Sequence, residues 1–532
     1  MSPLSHARTP ALAYGGALAL GLVMAAWIFP TDFLFPAAGA PWRPVGDAAQ
    51  HVIAQRYLIA DAWRWPPTLA ANLNTAEGGL NTAFADSIPA LALLLKLLRA
   101  WLPEGFHGVG LFYGLGWVLQ PLAAVWALRG AGERRLLPAV GVALAAVAMP
   151  AWIMRFGHAA LTGHFLLLAM LGLYFRLTRS PTPATWSAAV ALQPVTLLVH
   201  PYLAFMTLAL LAAVPATLLL RGRSFVGAFA AVVAAVALCF GILSAFDYLG
   251  ASGEGGFGLY SMNLGSPFWP AGSGILGWPV EGRVQHNCCS GWEGYNWLGL
   301  GVLGGLAVGV LGRPLTAARM LRQHLGLASA LLALTLLAVS HQVGLGWHVV
   351  LDLGQAPEFL EQFRSSGRFF WPVAYALLLA AMVLLARIAP ILCLVAGLVQ
   401  FVDAAPLRAA IAAWASERTP WTIEAQALRE QFGTASRLTL LPSFYCTEPT
   451  DPARGQLLEI LALASENALP ASTMYLARWL RPPQCDDAAV ASAPFAPGEL
   501  RLILPSVQAA LAPLVPDSAN RCAPVGTLLA CR

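Results

Sequence analysis

Asp47 and His51 stand four residues apart in Gly46-Asp47-Ala48-Ala49-Gln50-His51, and the same stretch closes at Ala85-Asp86-Ser87. If the segment is helical, the carboxylate and the imidazole share one face. Such a set suits general acid–base work, with Asp47 taking a proton, His51 orienting it and Asp86 nearby. The alternative is a solvated interfacial helix whose polar residues simply face water. The chemical reading gains weight from the rest of the chain, where ionisable groups are scarce and costly.

Of the 532 residues, 58% are hydrophobic and 11% charged, far from the soluble globular average. Apolar stretches of membrane-spanning length recur as far as residue 403, which predicts an all-α polytopic membrane protein. Residues 11–29 are too long and uninterrupted for a cleavable signal and read as a first span. The net charge of +5 points to no nucleic-acid partner, because the basic residues are placed as topology requires.

The spans fall near 11–29, 108–128, 137–154, 161–176, 185–200, 202–220, 225–246, 295–311, 326–341, 370–386 and 390–403, about eleven in all. One set of connections carries Arg8, Arg129, Arg134, Arg135, Arg176, Arg179, Arg221, Arg223, Arg313, Arg319, Arg322 and Arg387. The other carries Asp47, Asp61, Glu77, Asp86, Asp247, Glu254, Glu281, Glu293, Asp352, Glu358 and Glu361. The positive-inside rule then places the N-terminus in the cytoplasm and the acidic loops outside. Three outer loops result, 30–107, 247–294 and 342–369, within a membrane domain of residues 1–403. Residues 88–102 would invert the arginines if they spanned, so they read as an amphipathic or re-entrant helix on the outer face.

From 404 to 532 no span-length apolar run remains. Ser436–Leu441 and Leu500–Leu504 read as strands and Arg454–Asn467 as a helix, giving a soluble periplasmic α/β domain. Its four cysteines, Cys446, Cys485, Cys522 and Cys531, allow up to two disulfides in three pairings. No CxxC spacing favours zinc. Cys288 and Cys289 are adjacent in another outer loop, where two free or separately paired thiols are expected over a vicinal bridge.

That topology gathers further polar residues on the outer side. Arg155, His158 and His164 flank one hairpin, and His200 marks another. Glu293 and Asn296 sit among Trp292, Tyr295 and Trp297, where rings suit sugar stacking and the polar groups suit hydroxyl recognition. Arg364 and Arg368 are spaced to hold an anion. Taken singly, each also fits an interfacial histidine, an aromatic belt or a snorkelling arginine. Their accumulation on one face argues for a site.

The order of one span, a large outer loop opening on an acid, further spans and an outer C-terminal domain resembles the GT-C class of membrane glycosyltransferases. The strings GDAAQH, ADSIP, RFGHAALTGH, GFGLYSMN, GWEGYNWLGLG and FRSSGRFFWP resemble a family of bacterial polytopic proteins considered GT-C-like. The resemblance implies sugar transfer from a polyprenyl-phosphate carrier to a cell-envelope acceptor at the outer leaflet of the inner membrane. It also implies that Asp47 is the catalytic acid of the first outer loop. The loop lacks the paired acidic dipeptide of that class, which leaves metal dependence open.

The chemistry is coherent by itself. An outer-face transferase needs a lipid-borne donor, because nucleotide sugars are confined to the cytoplasm. Asp47, its pKa raised by partial desolvation, would take the acceptor proton. Arg364 and Arg368 would receive the departing phosphate, with Arg155, His158, His164, His200, Glu293 and Asn296 around the substrate. Magnesium or manganese between Asp47 and Asp86 is a further option. A flippase of lipid-linked sugars would favour mid-span charges and broken helices in matching halves; a non-catalytic envelope-assembly protein is the third reading.

Overall fold

A computed structural model describes residues 3–40, 42–253, 255–277, 292–448, 450–476, 478–483 and 485–532, with side chains from residue 10 onward and excluding that of Trp292. Cys288, Cys289, Glu254 and Glu281 lie outside the described residues. The chain is 61% helical. Six helices are long and apolar enough to cross a bilayer, or up to eight if each bent pair counts as one crossing. The six are Pro10–Ile28, Val109–Gly130, Ala159–Arg179, Pro201–Leu220, Val226–Ala245 and Ser366–Ile388. Leu136–Ala146, Pro183–Val199 and Leu325–Val339 are apolar but shorter.

The expected span at 137–154 is therefore interrupted. Leu136–Ala146 is followed by a separate turn, Pro150–Ile153, because Pro150 has no N–H to continue the ladder. Leu136–Ala146 instead presses flat against Pro390–Asp403. A Cβ on Gly141 would lie 2.1 Å from the Cys393 carbonyl, so only glycine permits that approach. Leu300–Gly312 breaks at Pro314 and turns by 104° into Pro314–Gln323, which buries no residue and carries Arg319 and Arg322.

Residues 88–102 form no helix of bilayer length. They form the nine-residue helix Pro89–Leu97 and the turn Arg99–Trp101, and nine residues rise only ~14 Å. Leu94, Leu97 and Trp101 are exposed along one side, whereas Lys96 is buried and donates to the Ala62 carbonyl at 3.1 Å.

Ala405–Ser416 continues Pro390–Asp403 after a 48° bend. Although its composition groups it with the C-terminal region, it buries Leu407, Ile411 and Ala415 in the bundle core. Trp414 closes that contact against Phe33, Trp42, Tyr113 and Phe156. Beyond it, a four-stranded sheet runs in the order Arg437–Leu441, Glu499–Ile503, Leu528–Cys531, Cys522–Val525. The first pair is parallel and is connected through Ala453–Ala464; the others are antiparallel. Of the three possible cysteine pairings, Cys446–Cys485 and Cys522–Cys531 are the ones formed.

Candidate active site

Gly46, with φ of +55°, turns the chain into the helix Asp47–Ala60, and Asp47 opens its first turn, where a carboxylate complements the helix dipole. Every residue from Ala48 to Ile59 is buried. Ala48, Val52 and Ile59 face the bundle core; Ala49, Ile53, Ala54 and Tyr57 face the core of the C-terminal sheet domain. The helix is thus clamped between two cores, and the solvated-helix alternative does not hold. Its polar residues have specific work. Gln55 donates to the Ser87 carbonyl at 2.7 Å and accepts from Gly108 N at 2.7 Å, while Gln50 reaches the Phe84 carbonyl at 3.4 Å. These bonds hold a loop in which Asp86 and Ile88 take left-handed φ values of +48° and +54°, conformations uncommon outside glycine.

Asp86 stands between two imidazoles. His200 Nε2 lies 3.6 Å from Oδ1 and His51 Nε2 4.0 Å from Oδ2. His200 Nδ1 accepts from the Tyr202 backbone N–H at 3.1 Å, so the neutral ring carries its proton on Nε2 and directs it at Asp86. Neither nitrogen of the buried His51 has a hydrogen-bond partner among the described residues. An imidazole left in that state is costly and marks a site where polar groups were placed for something other than stability.

A second chain of charges runs alongside. His158 Nε2 bridges Asp47 Oδ2 at 3.2 Å and Glu293 Oε1 at 3.5 Å. Glu293 receives Arg155 Nη1 at 2.6 Å, and both Nε and Nη2 of Arg368 at 3.0 and 2.9 Å. His51 and His158 bring their rings within 6.0 Å and join the two chains. Two guanidiniums on one carboxylate leave a formal surplus of one positive charge beneath the acids. Asp47 and Asp86 keep 47% and 32% of their side-chain surface exposed, whereas Glu293 and Arg155 keep 7% and 0%. The accessible groups are two carboxylates; the basic groups form the floor.

The electrostatics follow from that layering. Burial pushes the His51 imidazole down to about 4, with Asp86 and Asp47 only partly offsetting it. Burial likewise holds His158 below its ordinary value against the pull of Glu293 and Asp47. Burial alone would raise Glu293, but Arg368 and Arg155 outweigh it and hold the carboxyl well below its usual range. Asp86 is also held below its ordinary value: His200, His51, His158 and Arg368 outweigh desolvation. Asp86 therefore does not carry the raised pKa that partial desolvation of a catalytic acid would produce.

Asp47, His51, Asp86, Arg155, His158, His200, Glu293 and Arg368 are brought together. Two of the other three, His164 and Asn296, are engaged in packing and backbone contacts. His164 is stacked on Trp371 at 4.2 Å and bonded to the Tyr375 hydroxyl at 2.8 Å, which takes it into the bundle interior. Trp371 stands between it and Arg155, whose guanidinium lies 5.8 Å from the same ring. Asn296 donates to the Gly294 and Gly367 carbonyls at 3.2 and 2.9 Å, splicing the Glu293 turn to the residue before Arg368. It positions the charge cluster, and its Oδ1 is left without a hydrogen-bond partner among the described residues. Arg364 lies over the Tyr260 ring at 5.2 Å. Sequence reasoning missed Gln50, Gln55 and Tyr202, the last supporting Arg368 from 5.0 Å. Amides on an otherwise apolar helix, at 50 and 55, were the available signal.

Among the described residues no compact set of three His, Cys, Asp or Glu donors includes Asp47 or Asp86. Among the described residues, the His, Cys, Asp and Glu group compact enough for one ion is Cys446, Cys485 and Asp487, and its two sulfurs are joined to each other. A magnesium or manganese ion held by Asp47 and Asp86 would need its remaining ligands from water or substrate.

Fold and site together define a mostly helical protein with apolar helices of bilayer length, a polar network at their ends and a small disulfide-bonded sheet domain. The chain belongs to the family described as a domain of unknown function, DUF6311, whose sequence model matches residues 18–405. The DUF6311 C-terminal domain matches residues 427–532. No curated protein matches the chain.

Proposed function

We propose that this protein is a membrane glycosyltransferase that moves a sugar from a polyprenyl-phosphate donor to a cell-envelope acceptor at the outer leaflet. The observation that carries the reading is the layered site: two part-exposed carboxylates, Asp47 and Asp86, over buried imidazoles and a guanidinium pair with surplus positive charge. A carboxylate can accept the proton of an acceptor hydroxyl, and fixed cations below it favour the phosphate that departs from the anomeric carbon. In this reading Asp47 is the base, and His158 behind it shares the hydrogen bond. Arg155 and Arg368 act through their field, because each is buried and paired with Glu293, Arg155 through Nη1 and Arg368 through Nε and Nη2. Arg364 is then the guanidinium that meets the lipid phosphate.

The orientation proposed is that of about eleven crossings in a bacterial inner membrane, with the site and the sheet domain periplasmic. Support comes from the helices themselves. Pro201–Leu220 has His200 at one end and Arg221 at the other, some ~30 Å apart at 1.5 Å per residue, the thickness of a hydrocarbon core. Arg221 and Arg223 both donate to the Thr178 carbonyl, and Arg221 also reaches that of Gln323, so three arginine-bearing turns meet at one end.

The test is transfer of labelled sugar from polyprenyl-phosphate donors by purified protein in liposomes. Asp47→Asn should lose ~10²–10⁴-fold in turnover at saturating donor, the usual worth of a general base. Arg364→Ala should raise the donor concentration needed. A folded Asp47→Asn protein with full turnover would remove the catalytic assignment, and transport or assembly would take its place.

A further inference from the structure

A groove of about 600 Å³, lined by none of the ionisable residues of the acid–imidazole network, opens between the segment around Leu69–Phe84 and the C-terminal sheet domain. That volume is ordinary for a small-molecule or oligomer site, for which ~300–1,000 Å³ is typical. Its walls are tied to each other by main-chain bonds: Thr75 N to the Ala471 carbonyl at 2.9 Å, Ala76 N to Ser472 at 3.2 Å and Ala471 N to Asn72 at 2.9 Å. The groove is therefore formed before any ligand arrives, and little ordering has to accompany binding.

Three properties of the lining select the ligand. Charge comes first: among the described residues Glu77, Asp247, Asp486 and Asp487 face it against a single cation, Arg481. Phosphates and acidic sugars are repelled by that balance. Rings come second. Tyr445 and Trp479 meet edge to face at 6.2 Å and 77°, which offers a ring face to a flat apolar ligand surface such as the C–H face of a pyranose. Hydroxyls come third. Ser472 Oγ accepts from Leu440 N at 3.0 Å and Thr473 Oγ1 from Phe444 N at 3.0 Å, so each oxygen is fixed while its own hydrogen is still available to donate. Fixed hydroxyl donors beside carboxylate acceptors match a ligand whose every polar group is both donor and acceptor. A basic peptide would use the carboxylates and leave the hydroxyl donors without purpose.

We propose that this groove binds a saccharide chain lacking acidic groups. The inference goes beyond sugar transfer and does not require it: the groove would serve equally to hold an acceptor or to anchor the protein to envelope glycan.

The experiment uses the full-length protein in nanodiscs on a microarray of neutral, amino-bearing and acidic bacterial glycans, followed by titration of the best neutral oligosaccharide. Saturable binding to neutral or amino-bearing chains is expected, with about tenfold or greater weakening in Trp479→Ala and in Asp487→Asn, the loss of one stacking or charge-assisted contact. Asp487→Asn keeps the oxygen that accepts from Ser443 N at 2.9 Å and so guards against a folding artefact. Asp47→Asn should bind as tightly as the parent, which separates failure here from failure of the transfer reading. Retention of acidic glycans only, affinity for a hexa-lysine peptide without glycan binding, no glycan binding, or binding unchanged in both groove variants would each overturn the proposal.

Discussion

Glu293 is the residue on which the site's electrostatics turn. It is 5% exposed and neutralises two buried guanidiniums at once. Replacing it by glutamine keeps the shape but leaves Arg155 and Arg368 facing each other without a counter-charge. Breaking a buried ion pair in this way typically costs ~3–5 kcal/mol, so Glu293→Gln should unfold well below the parent temperature in a thermal-shift assay. Asp47→Asn should instead leave the melting temperature almost unchanged, because Asp47 is half exposed and asparagine keeps an oxygen to face His158. His51 sets a pH signature. Its folded-state value of about 4 lies below the unfolded imidazole, so the unfolded chain binds the extra proton between pH ~6.5 and 4. Stability from this group is complete above pH ~6.5 and is lost as the pH falls through that window. The slope of melting temperature against pH over that window should flatten in His51→Gln; an unchanged slope would assign the acid sensitivity to other groups.

Among the elements, the helix Asp47–Ala60 shows how secondary structure places chemistry. It presents Asp47 at its open end and uses Gln50 and Gln55, on its buried faces, to hold the Asp86 loop. Gln55→Leu fills the same space but leaves the Ser87 carbonyl and the Gly108 N–H unpaired in a buried setting, at ~1–3 kcal/mol for each group. The expected result is a destabilised protein whose remaining folded fraction turns over slowly, since Asp86 is no longer held in its left-handed conformation. Normal activity from folded Gln55→Leu protein would show that the loop needs no such support. The nine-residue helix Pro89–Leu97 carries the topological argument. Reporter fusions after Arg135, Arg179, Arg223 and Arg322 should read cytoplasm, and fusions after Pro270 and Asp451 periplasm. A periplasmic reading after Arg135 would require residues 88–102 to cross after all.

For the molecule as a whole, the C-terminal domain is more than an appendage. It covers Ala49, Ile53, Ala54 and Tyr57, and it is pinned by Arg43 to Glu459 at 2.8 Å and by Arg56 to the Ala462 carbonyl at 3.3 Å. Ending the chain after Ser416 would expose that face, and the bundle should aggregate or lose the Asp47 helix to protease. A monodisperse, protease-resistant 1–416 fragment would show that the site stands without the domain. Reduction should act in the same place. The Cys446–Cys485 bridge closes a loop with a sequence separation of 39, and closing a loop of that size is worth ~2–4 kcal/mol. Unreduced peptide mapping should recover that bridge and Cys522–Cys531.

Composition and charge placement were enough to mark the helical bundle, the gathering of polar residues and, within a residue of each end, the strands Arg437–Leu441 and Glu499–Ile503, because burying apolar surface and excluding lone charges act on every segment by itself. Which polar residues meet was decided only by tertiary packing. Glu293 is 138 residues from Arg155 and 75 from Arg368, and no local spacing carries those pairings. The same reason explains His164 and Asn296. Both looked like neighbours of the site in sequence, but His164 is packed in the interior against Tyr375, and the Asn296 amide nitrogen is engaged by the backbone at Gly367. For Asp47–Ala60 the spacing of Asp47 and His51 offered a helix only as a condition, and burial on all sides was not legible at all. Its second covering layer comes from residues some four hundred positions away, and burial by a distant segment leaves no periodicity of its own.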